Sequence, residues 1–219
     1  MIGIKKQTYS EQVAEYIKTC ILKGELLPGD QVKEVELSEK LAISRAPIRE
    51  ALQLLAREGL IQTEPQKGKY ITELTAQQIK DSYFTGGVLE AAAVSQALPL
   101  YDENDVSQLE ELVEGMRKVA ESGEDIDSLA ELDSEFHNVL FSRISNELLI
   151  DLCRRSCQGI SKFLLYRHWI SLFSPQEVYE RHVAIVEAVK SGKASKVEKT
   201  IRKHYMDSGD RMAKYGVEK

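Results

Sequence analysis

Cysteine is scarce and odd in number, three residues with Cys20 far in sequence from Cys153 and Cys157. A disulfide framework needs paired thiols, so none is expected. Cys153 and Cys157 are spaced i, i+4, but two thiols without a neighbouring His or third Cys make a poor zinc site, and the cysteines read as small buried apolar side chains. Runs of about 18 apolar residues are missing, which excludes a membrane-spanning helix. The polar N-terminus reaches an amphipathic segment by Tyr9 without an apolar signal core, so the expected address is cytoplasmic. Positive charge is not in excess either: the net charge of -6 excludes a uniformly basic nucleic-acid binder.

That average conceals a split. Of 29 Lys+Arg and 35 Asp+Glu, 11 of each fall in residues 1 to 74, leaving 18 against 24 in the remainder. Residues 37 to 70 hold six basic and four acidic side chains, so any DNA contact belongs to the first third and is local. At 219 residues, 42% hydrophobic and 29% charged, the chain can build two modest cores.

Between Tyr9 and Leu22, Val13, Tyr16, Ile17 and Cys20 recur at three- and four-residue spacing, which predicts a helix stopped by Gly24. Leu27-Pro28-Gly29-Asp30 reads as a turn, and Glu34 to Leu41 as a short second helix. Ser44 is an N-cap for a third helix running to about Glu58, with Pro47 tolerated in the first turn and Ile48, Ala51, Leu52 and Leu55 as its apolar rhythm. Leu60 to Thr63 and Lys69 to Thr72 read as strands flanking a hairpin tip at residues 65 to 68. Three helices and a β-wing make a winged helix-turn-helix. Arg45 and Arg49 then share one face at the start of the third helix, where guanidinium groups can pair with guanine or clamp phosphate. Ser44 and the helix N-terminus can hold a phosphate oxygen, and Lys67 with Gly68 can bring the wing tip close to the DNA backbone. Two arginines on a helix are by themselves more often a solvated face.

The wider pattern is more specific. G-E-L-L-P-G-D, E-L-S-E-K-L-A-I-S-R-A-P-I-R-E-A-L-Q-L-L-A-R-E-G-L-I and P-Q-K-G-K-Y-I-T together resemble the GntR-family winged helix. The resemblance implies DNA contacts from Arg45, Arg49 and the region of Gly68; with the reading above, the candidate set is Ser44, Arg45, Pro47, Arg49, Lys67 and Gly68. Val35 stands where some relatives carry a second-helix Arg, so that contact is expected to be absent.

From residue 75 the pattern becomes helical, opened by a Thr75–Gln78 capping pair. Helices are predicted at about 75–100, 102–120, 126–143, 146–169, 175–191 and 194–215, an antiparallel six-helix bundle. The expected division is thus residues 1–74 and 75–219, in a mainly α fold. All four histidines lie in the second part. Asp133 and His137 are i, i+4 on one helix face, while His182 and His204 fall on two other helices, so one carboxylate and three imidazoles can converge on a divalent ion. A single histidine is more often hydrogen-bonded or exposed than a ligand, and His168 is left in that class.

The flanks L-D-S-E-F-H-N-V-L, S-N-E-L-L, E-R-H-V-A-I-V-E-A-V-K-S-G and I-R-K-H-Y resemble the FCD ligand-binding domain of the FadR subgroup. The resemblance implies a metal held by Asp133, His137, His182 and His204 and an effector pocket around it; the donor chemistry puts zinc first, with nickel or manganese as alternatives. Family members commonly carry an Arg before the L-E of the first bundle helix that pairs with a carboxylate effector. Gly86 occupies that position here, which points to a bulkier or less acidic effector than a simple dicarboxylate. The expected function is a homodimeric regulator that binds a pseudo-palindromic operator under control of a small molecule, an organic acid among the candidates, and is not an enzyme. The alternatives are a metal-dependent hydrolase, or a regulator whose metal is structural or is itself the signal.

Overall fold

The computed structural model describes residues 7–123, 128–156 and 162–218; Cys157, the fourth residue beyond Cys153, lies outside them. Helix α1 (Tyr9–Lys23) buries Val13, Ile17, Cys20 and Ile21 and is followed by α2 (Glu34–Leu41) and α3 (Arg45–Arg57). The stripe Ile48, Ala51, Leu52 and Leu55 of α3 is fully buried, because its spacing faces α1 and the hairpin while the opposite face is polar. Strands β1 (Ile61–Glu64) and β2 (Gly68–Ile71) pair antiparallel in the register Ile61↔Ile71 to Glu64↔Gly68. Ile61 and Ile71 thus face the core together, and the hairpin tip projects into solvent.

The second part contains α4 (Ala76–Ala97), α5 (Glu103–Ser122), α6 (Ser128–Phe141), α7 (Glu147–Cys153), α8 (Lys162–Leu164), α9 (Tyr166–Leu172), α10 (Pro175–Lys190) and α11 (Ala194–Met212). Capping boxes set three of these starts, at Thr75 with Gln78, Asp102 with Asp105, and Ser174 with Glu177. The helix predicted over 146–169 is divided. Among the described residues α7 stops at Cys153, and Leu165 (φ -109°, ψ 20°) separates α8 from α9. Leu164, Leu165, Trp169 and Phe173 around that break all reach the core. Cys20 and Cys153 are buried, as expected of small apolar residues. No described helix is long and apolar enough to cross a membrane.

The bundle is organised by α4 against α11. A Cβ on Gly87 would stand 2.6 Å from Tyr205 Cβ, and one on Gly209 would stand 2.7 Å from Tyr83 Cβ. Each helix therefore offers a glycine to the other's tyrosine, with Tyr83/Gly87 and Tyr205/Gly209 both at i, i+4. Beyond α11, Val217 N–H donates to Leu74 O at 2.9 Å and Val217 forms a parallel bridge with Thr75, so the chain leaving the hairpin is tied to the end of the bundle. Gly87→Ala and Gly209→Ala are each expected to lower stability by about 1–3 kcal/mol through overpacking, despite a helix-propensity gain of up to about 1 kcal/mol. Urea unfolding checks this, and a raised midpoint in either variant would show that the helices are not in close contact there.

Candidate DNA interface and metal centre

Ser44 caps α3 by position, yet its hydroxyl makes no capping hydrogen bond and is exposed. The first turn of α3 thus presents an unused hydroxyl and uncommitted backbone N–H groups, the arrangement that receives an anion. Arg45 and Arg49 stand beside it, each with a side chain 56% exposed, and Pro47 lies between them in the same turn. At the wing tip Lys67 and Gly68 are exposed; Gly68 has φ +121°, and Gln31 Nε2 donates to Lys67 O at 2.8 Å. Gln31 thereby ties the tip to the segment before α2. The six residues lie at two places, the start of α3 and the tip of the hairpin. Val35, where an Arg was absent by sequence, is an exposed apolar side chain.

Sequence reasoning missed the residue that joins these cations. Glu34 Oε1 accepts from Lys69 Nζ at 2.8 Å, and Glu34 Oε2 lies 3.3 Å from Arg49 Nη2 and 3.5 Å from Arg45 Nη2. Its carboxyl is held down to about 2, chiefly by the Lys69 hydrogen bond and then by that of Arg49, against the opposing effect of burial. A clue existed in the acidic first turn of a short helix that precedes two arginines, but bringing residues 34, 45, 49 and 69 together requires the tertiary fold.

In the bundle, Asp133 and His137 from α6, His182 from α10 and His204 from α11 each offer a ligand atom, all within 4.8 Å of one another. Asp133, His137 and His182 are buried. Imidazole centroids are 6.0 Å apart for His137–His182, 5.7 Å for His137–His204 and 5.1 Å for His182–His204. His182 Nδ1 lies 2.7 Å from Val178 O, an acceptor only, so Nδ1 carries the proton. The other ring nitrogen, Nε2, stands 3.2 Å from Asp133 Oδ1 and has no hydrogen-bond partner. The ring is fixed by an edge-to-face contact with Phe136 at 4.8 Å. His204 is kept neutral well below the usual imidazole range by burial and by the neighbouring His182 and Arg181, and its Nδ1 also lacks a partner. A lone pair and a carboxylate oxygen 3.2 Å apart in a buried site call for a positive centre between them, a proton or a metal ion.

Glu90 is the second residue that sequence reasoning passed over. It is fully buried on α4 and accepts from His137 Nδ1 at 2.8 Å and from Tyr205 OH at 2.7 Å. This fixes the His137 tautomer and leaves Nε2 toward Asp133, 3.9 Å away. The signal was a carboxylate on the apolar stripe Ile79, Tyr83, Gly86, Gly87, Glu90, Val94. Gly86 is buried in the same stripe, and its carbonyl accepts from Cys153 Sγ at 3.6 Å. His168 is apart from the cluster, stacked on Tyr215 at 3.9 Å.

The chain is similar to known proteins along most of its length. Residues 9–71 match the family model described as bacterial regulatory proteins, gntR family, and residues 81–207 match that of the FCD domain. The chain is 26% identical over 201 residues to the HTH-type transcriptional repressor RspR of Escherichia coli K12, covering 92% of this chain and 87% of that one. It is 31% identical over 183 residues to the Nta operon transcriptional regulator of Aminobacter aminovorans, covering 81% and 84%. The fold is similar to that of E. coli McbR/YncC, with a TM-score of 0.69, 21% identity and coverage of 92% and 95%.

The Glu34 carboxyl is expected to titrate near pH 2 by side-chain NMR. Its folded value is depressed, so the stability it contributes is complete above the ordinary value of 4.5 and is lost as pH falls toward 2. A midpoint near 4.5 would mean that the cations do not converge on it in solution.

Proposed function

Because the chain belongs to the gntR family of bacterial regulatory proteins and carries an FCD domain, it is a DNA-binding transcriptional regulator rather than an enzyme, and we propose that a small molecule bound beside a divalent metal ion in its helical part controls operator affinity. The reading divides the chain at 74/75. Residues 1–74 read DNA, with Arg45 and Arg49 addressing base edges or phosphates in the major groove and Ser44, Pro47, Lys67 and Gly68 against the backbone. Residues 75–219 hold the metal and effector and form the dimer of a cytoplasmic protein whose two reading heads fit a pseudo-palindrome.

The observation that carries the metal is the orphaned Nε2 of His182 facing the Asp133 carboxylate, in a set of one carboxylate and three imidazoles from three helices. Asp133, His137, His182 and His204 would hold the ion. Zinc suits these donors best, with nickel and manganese accepted by the same chemistry. Such an ion offers positive charge and open positions to the oxygen atoms of an effector. With Gly86 in place of a clamping Arg, the metal supplies the main attraction for those oxygens, which favours a ligand bulkier or less acidic than a simple dicarboxylate. For dimerisation, Phe84 and Met206 are exposed apolar side chains beside a shallow groove between α4 and α11, surface that a second copy would cover.

A route from site to reader is short. Helix α4 carries Glu90, which holds His137, and begins at Ala76, where Leu74 and Thr75 are tied to Val217. An effector that favours one α4–α11 arrangement biases the orientation of the winged domains, to the extent of its different affinities for the two arrangements.

The test is selection from random duplexes followed by anisotropy titration of wild type, Arg45→Ala and Arg49→Ala at fixed salt. A short palindrome should be recovered, and each substitution should cost about 1–3 kcal/mol on it. No enrichment, with both variants binding like wild type, would overturn the reader. For the metal, Zn2+ should raise Tm in wild type and not in His182→Ala, while Glu90→Gln should weaken Zn2+ binding about 10–100-fold. A protein whose Tm is indifferent to Zn2+, Ni2+ and Mn2+ would overturn the site. Chelation that alters DNA affinity with the fold intact would identify a sensed ion, and a general loss of Tm a structural one.

A further inference from the structure

Glu34 is an anion placed at the centre of the cations expected to meet DNA. Its side chain is 18% exposed and Lys69 beside it 19%, while Arg45 and Arg49 reach it from solvent. The inner pair is anchored, since Lys69 stands in β2 and Glu34 at the start of α2. The outer two guanidinium groups, 3.3 and 3.5 Å from the same Oε2, are held more loosely and can turn toward solvent. One carboxylate thus joins α2, α3 and the wing.

We propose that Glu34 is a specificity-determining residue of the DNA reader, an internal counter-anion that competes with DNA phosphate for Arg45 and Arg49 and keeps both arginines directed at base edges. The inference rests on the reading of those arginines as DNA contacts. Any duplex must draw the arginines from Glu34 to engage them on phosphate, so every non-specific complex bears that loss. A cognate duplex offers bidentate partners in the major groove, where an arginine can gain hydrogen bonds while keeping one edge on the carboxylate. Glu34 therefore weakens non-specific binding more than specific binding. Its negative charge also cancels part of the local field that would otherwise favour any phosphate backbone.

The experiment compares wild type with Glu34→Gln on two probes of equal length, the duplex selected by the wild-type protein and a scrambled duplex, across a salt series. The substitution should raise affinity for the scrambled duplex by about three- to tenfold and steepen its salt dependence by about one unit of log K against log salt. Affinity for the selected duplex should change less, so the ratio of the two falls at least threefold. The difference should vanish at about 0.5 M salt, where exposed charges are screened; a defect of folding would persist at every salt. An unchanged or increased ratio, or a parallel loss on both probes, would overturn the proposal. Arg45→Ala and Arg49→Ala in the same series separate the two failures. If they leave both affinities unchanged, the reading of the arginines is wrong; if they weaken binding while Glu34→Gln preserves the ratio, only the role of Glu34 is.

Discussion

The close approach of α4 and α11, with a glycine of each helix beneath a tyrosine of the other, sets the geometry on which the helical site depends. Tyr205 packs directly against Gly87, and from that seat its hydroxyl reaches Glu90. Glu90 in turn holds His137 Nδ1, which turns the other ring nitrogen toward Asp133. His204 precedes Tyr205 on α11, so the same contact fixes where a third imidazole enters. Replacing either glycine by a residue with a Cβ separates the helices, and the error propagates through a rigid, densely packed interior rather than being absorbed locally.

The same segment concentrates polar groups that are costly to bury. Glu90 and Asp133 are enclosed carboxylates, and His137 and His182 enclosed imidazoles. An interior tolerates such groups when each has a partner, and removing one leaves another uncompensated. Glu90 meets the condition with two donors. His182 meets it on one side only, through Val178, and that asymmetry is what the proposed metal ion would resolve. The arginines of the DNA-facing end present the opposite case. They are exposed, and they share one carboxylate.

The winged part was readable because its signals are local. Gly24 and Gly59 end helices where the pattern required, and both strands begin and end within about one residue of the expected positions. Asp133, His137, His182 and His204 were legible as a set only through their flanking motifs, since i, i+4 spacing joins just the first two and the convergence of three helices is a tertiary fact. Glu90 and Glu34 escaped because each acts through residues far away in sequence. The stretch 146–169 carries enough apolar residues for one helix, and nothing in its pattern marks the break at Leu165. The Gly86-Gly87 pair was read for a missing guanidinium, whereas Gly87 also has a packing role that only its neighbour Tyr205 reveals.

The pairing of α4 with α11 also orders events at the ribosome. Helices α1 to α3 and the hairpin find most of their partners within residues 9–71, while α4, the next element made, packs against a helix that ends at Met212, and Glu90 waits for a hydroxyl 115 residues downstream. At translation rates of about 5–20 residues per second, the interval is on the order of ten seconds. Through that time the reading head can be complete while its control domain is still being synthesised, and the apolar face of α4 is a natural client for chaperones.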